Sequence, residues 1–116
     1  MGEDLPVGEP VDANPARPPG RHALEGRFVR VRPLDPEADA GALWDVSHDG
    51  SAQADRLWTY MYDPFADRAA MRAWLDTCAT TSDPLFMTVD SRGSGPVGMA
   101  AFMNIVPEHR RIEIGH

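Results

Sequence analysis

The chain has 116 residues, 42% of them hydrophobic and 25% charged, with a formal net charge of -7. That length allows one small domain with one core, and the acidic balance excludes a nucleic-acid footprint, which needs a basic face. A single cysteine, Cys78, excludes both a disulfide framework and a cysteine-based zinc site.

Residues 1–21 carry five prolines and three glycines and little that is apolar. Such a stretch cannot offset its ordering cost by burial, so a flexible Pro/Gly-rich arm is expected there and a domain over 22–116. The N-terminus lacks the charged and apolar regions of a signal peptide. No apolar run reaches the roughly 18 residues of a membrane span. A reducing cytoplasm is therefore the expected setting.

In "LEGRFVRVRPL", Val29 and Val31 alternate with Arg30 and Arg32, which predicts a first strand closed by Pro33. "DPEADAGALWDV" follows with an N-cap at Asp35 and proline at the first helical position. Ala40, Leu43, Trp44 and Ser47 then share one face of a short helix. "SHDGSAQADRLWTYMYDPF" is an aromatic connection without a clear period, with room for a helical turn at 52–57. Asp67 caps a second helix in which Met71, Trp74, Leu75 and Cys78 form one buried stripe.

Beyond "TTSD" the period changes to two. "PLFMTVD" and "PVGMAAFMNI" predict two strands around the turn "SRGSG", with Gly98 marking a bulge or a close backbone approach. "RRIEIGH" predicts another strand, buried by the alternation of Ile112 and Ile114. The expected fold is α+β: strand, helix, helix, strand, strand, strand, an antiparallel meander with helices on one face.

These segments in this order resemble the GNAT superfamily of N-acetyltransferases, from about Arg21 to His116. The likeness rests on "LEGRFVRVRPLDP", "LWTYMYDPFAD", "PLFMTVD…GPVGMAAFMNI" and "RRIEIGH". It is greatest to the branch containing the ribosomal-protein N-terminal alanine acetyltransferases. The resemblance implies transfer of acetyl from acetyl-CoA to a primary amine, on a small molecule or a protein N-terminus. It also implies that this chain is an N-terminal half, truncated at the fourth and central strand. The loop that holds the pyrophosphate, the later strands and the tyrosine that protonates the leaving thiolate would then lie beyond His116. By that expectation the 116 residues alone are inactive. The alternative is a non-catalytic remnant or interaction module that needs a partner half, or self-association through the exposed strand 110–116.

The chemistry assigns the candidates. An attacking amine, with a pKa near about 10, must lose a proton before it is a nucleophile. The resemblance puts the general base at Glu113; His116, an imidazole of suitable ordinary pKa, is the second candidate. It puts the amide donor for the thioester oxygen at Ile114, Gly115 or His116. The competing roles are a solvated carboxylate near Arg111 and a packed histidine. Trp58, Tyr60, Met61, Tyr62 and Phe65 fall where the family lines its acceptor cleft; otherwise they seal the helices onto the sheet. Trp44, Met71 and Trp74 are expected in the core, and Cys78 as a core thiol. His48, Asp49 and Asp55 match no ligand spacing, so no metal is expected.

Overall fold

The computed structural model describes residues 4–61 and 64–116. Five strands form one antiparallel sheet in chain order: β1 (Leu24–Glu25), β2 (Val29–Pro33), β3 (Leu85–Ser91), β4 (Gly95–Val106) and β5 (Arg111–Gly115). Between β2 and β3 lie three helices: α1 (Pro36–Ser47), α2 (Ala52–Leu57) and α3 (Arg68–Cys78). The α+β class and the meander agree with expectation, but there are five strands where four were expected. "LEGRFVRV" folds back on itself, because the Gly26 amide donates to Val29 O at 2.9 Å. A Cβ on Gly26 would sit 2.8 Å from that oxygen, so only glycine permits the turn.

The helices start where their caps put them. The Asp35 and Asp67 carboxylates accept from the amides of Ala38 and Ala70, each satisfying a donor the helix cannot. Ser51 does the same for α2, and Gly50, at φ 79°, makes the turn that lets α2 follow α1 so closely. The segment 52–57, expected to have room for a helical turn, is thus a short helix.

The core lies between the helices and one face of the sheet, from Leu34, Leu43, Met71, Leu75, Cys78, Phe86 and Ala101. Trp44 and Trp74 are half-buried against it. Burial pushes the Cys78 thiol up to about 11. Asp39 is fully buried on α1 and was not foreseen. Its carboxylate takes a bidentate pair from Arg32 (2.9 and 2.7 Å), the Thr88 hydroxyl (2.7 Å) and the Asp35 amide (3.0 Å). Burial alone would raise its pKa, but these donors outweigh it and hold the carboxyl below the usual range.

Two register shifts shape β4. One, between Val89 and Asp90, leaves Val97 without a partner beside Gly98, at the place where Gly98 predicts a bulge. The other, between Met103 and Val106, holds Asn104 at φ 49°, and the Asp83 carboxylate accepts from the amides of Asn104 and Ile105. β5 is an edge strand among the described residues, and Ile112 and Ile114, whose alternation predicts burial, are 47% and 75% exposed. The arm lies along this end: the Ala16 amide donates to Pro107 O at 2.9 Å and Arg110 to Asn14 O at 2.7 Å. No described helix is long and apolar enough to cross a membrane.

Candidate functional site

The connection from α1 to α3 becomes a wall because its polar atoms find partners locally. Ser51 starts α2, and the Trp58 indole donates to Ser47 O at 3.0 Å, tying the connection back to the end of α1. The aromatic rings then pack in series. Trp44 stacks on His48 (3.8 Å), His48 tilts toward Trp58 (5.2 Å) and Trp58 meets Phe65 edge-on (6.1 Å). Phe65 leans on Trp74 (5.2 Å), Trp74 on Phe86 (6.0 Å) and Phe86 on His116 (5.1 Å). The series runs from the far end of α1 to the end of β5, and offset contacts of this kind stabilise beyond simple burial.

Within it the Ser47 hydroxyl donates to Leu43 O at 2.7 Å, so its 2.8 Å contact with His48 Nδ1 is a bond donated by the imidazole. His48 Nε2 is left as an acceptor, sealed from solvent and without a hydrogen-bond partner among the described residues.

Beside this series lies a cavity of about 360 Å³. Val46 and Ser47 of α1 form one side, Leu57, Trp58, Met61 and Phe65 the next, and Met71 and Trp74 of α3 the third. The bulged stretch Val97–Met99 of β4 and the His116 ring complete it. The volume suits a small organic group. Among the described residues, no aspartate, glutamate, lysine or arginine contributes to the lining.

The candidates divide accordingly. Trp58, Met61, Phe65 and His116, separated by up to 58 residues in the chain, meet at this one cavity. Tyr60 does not join them: its side chain is 97% exposed, because it lies in the turn after α2 and faces outward. Tyr62 lies outside the described residues. Glu113 is exposed, away from the cavity lining, and accepts from Asn104 Nδ2 at 2.8 Å. Ile114 points to the opposite face from His116, since Ile114 pairs with Phe102 while Gly115 pairs with Ala101 beside Phe86. Strict alternation would have put His116 with Ile114. The strand stops at Gly115, and His116 takes φ 61°, which turns its ring to Phe86. Gly115 is half-buried under Met103.

Sequence reasoning missed Val46, Leu57 and Val97 as cavity walls. Leu57 follows directly from a helix at 52–57, and Val97 from the bulge at Gly98. Among the described residues no group of three or more His, Cys, Asp or Glu side chains gathers as a metal site.

No protein-family model matches this sequence, and no curated protein does. Solved structures do match. One is a GCN5-related N-acetyltransferase from Brucella melitensis, with a TM-score of 0.79 and 36% identity over 88% of this chain. Another, from Chromobacterium violaceum, is named a probable acetyltransferase of the GNAT family; it has a TM-score of 0.76 and 25% identity over 99% of this chain. The chain spans about half of each, 46% and 58% of their lengths. The α+β fold described above is therefore one shared with GNAT-family acetyltransferases.

Proposed function

We propose that this chain forms the acceptor side of a GNAT-type N-acetyltransferase, which moves acetyl from acetyl-CoA to a primary amine of a small molecule or a protein N-terminus. The observation that carries this is the cavity. Residues drawn from four elements enclose a small apolar space on a fold matched by two such structures, with a histidine ring on its wall.

The amine nitrogen attacks the thioester carbonyl carbon, and the carbonyl electron pair moves to oxygen. Collapse then breaks the C–S bond, leaving an amide and the CoA thiolate. The nitrogen proton passes to a base and from there to sulfur. His116 is assigned the base, because it lines the cavity and Glu113 does not. Glu113, tied to Asn104, is assigned to positioning β5. One backbone amide among Ile114, Gly115 and His116 is assigned to the developing oxyanion, since successive N–H groups alternate sides of a strand and those of β5 that face away from β4 have no sheet partner among the described residues.

The test is release of CoA thiol by a purified protein that joins this acceptor side to a CoA-binding side, given acetyl-CoA and a panel of primary amines that includes peptides with free N-termini. Cys78, buried in the core, contributes no background to a thiol reagent. Amine-dependent release is expected. A folded protein that releases no CoA with any amine overturns the proposal.

A further inference from the structure

The lining of the cavity narrows the acceptor beyond "a primary amine". Its wall is aliphatic, aromatic and thioether, contributed by Val46, Leu57, Trp58, Phe65, Trp74 and Val97 among others. No carboxylate among the described residues lines it. Among the described residues, a diamine or polyamine carrying a second ammonium into this space would bury it without a counter-ion, which is strongly unfavourable. A ring or branched aliphatic body would leave water for a site of matching character, which is favourable in proportion to its apolar area. The volume of about 360 Å³ takes a phenyl or indole group. Among the described residues, the polar ring on the wall is His116, and Ser47 is the other polar residue lining it.

We infer that the cavity binds the aromatic or bulky aliphatic body of a monoamine, with its amino group toward His116, and discriminates against diamines and polyamines. This rests on the acetyltransferase assignment only for the fate of the amine; the binding preference stands on the cavity itself.

Calorimetric titration of the protein with 2-phenylethylamine and with putrescine, without acetyl-CoA, tests the preference. Val97 sits in the β4 bulge and is 41% exposed, so Val97→Phe adds volume at the mouth of the cavity without disturbing the core. Val46→Phe, on the α1 side of the cavity and 38% exposed, is the second variant. 2-Phenylethylamine should bind at least about tenfold tighter than putrescine, and both variants should weaken it by about fivefold or more. Putrescine binding as tightly as 2-phenylethylamine, binding of neither, or folded variants that leave the affinity unchanged would each overturn the inference. The two proposals fail separately. 2-Phenylethylamine bound at the cavity but never acetylated removes the acetyltransferase assignment and keeps the preference. Acetylation of putrescine but not of 2-phenylethylamine does the reverse.

Discussion

The two sides of the sheet are built on different principles. At the β2–β3 side, Arg32, Asp39 and Thr88 meet in a buried network under α1, with Asp90 as a second acceptor for Arg32 at 3.3 Å. At the β5 side, the edge strand shows Ile112 and Ile114 to solvent, and its nearest polar contact is the exposed Asn104–Glu113 pair. The first region fixes its geometry by satisfying a buried charge fully. The second is left open where the amine chemistry is assigned. A buried charge with several donors tolerates no change on one side only, whereas an exposed apolar edge is energetically lax and prone to pairing.

The sharpest way to break this contrast is Asp39→Ala. It strands Arg32 and the Thr88 hydroxyl, and removal of one partner of a buried pair costs about 3–5 kcal/mol. Urea denaturation should show that loss, whereas the double replacement Arg32→Met with Asp39→Leu should recover a good part of it. The same network sets an acid limit. Because the folded Asp39 carboxyl titrates below its unfolded value, its contribution is fully present above about pH 4. That contribution is lost as the pH falls through the depressed value of the folded state, so the Asp39→Asn variant should show a flatter stability profile on the acid side.

On the open side the expected effects are on rate and association. His116→Ala should lower amine-dependent CoA release by about 10²-fold or more, the usual range for a general base, with the steepest loss at pH values where the amine is protonated. Glu113→Gln should lower it far less, with the pH profile keeping its shape; the reverse ranking would move the base to Glu113. The smallest effect on stability is expected from Ile114→Lys, within about 0.5 kcal/mol of the parent in a melt, since the side chain is 75% exposed. If the chain self-associates through residues 110–116, that lysine should abolish it, and sedimentation of the two proteins side by side decides the point. Cys78 probes the core between the two regions. With its thiol pushed up to about 11, it should resist alkylation at neutral pH until denaturant opens the fold.

Much of the architecture was legible because its causes are local. Asp35 and Asp67 cap their helices through an amide three residues on, and Met71, Leu75 and Cys78 fall on one stripe by helical period alone. Gly98 marked the β4 bulge for the same reason, as a residue without a side chain to hold the pleat. The hairpin at Gly26 was missed because "LEGRFVRV" has strand character on both sides of the fold-back, and only the close approach of Val29 O distinguishes it from one continuous strand.

Tertiary structure decided what depends on distant partners. Asp39 looks like a first-turn acid that favours the helix N-terminus. Its burial is possible only because Thr88, 49 residues away, and Arg32 on β2 converge on it. The aromatic connection announced a wall but not which side chains would face inward: Trp58, Met61 and Phe65 do, and Tyr60 does not. His116 reached the cavity against the alternation of its own strand, by one left-handed residue and a contact with Phe86. Capping and periodicity act within a few residues and are written in the sequence. Burial of a charge, the facing of a ring and the enclosure of a cavity depend on groups brought together only when the sheet and helices pack.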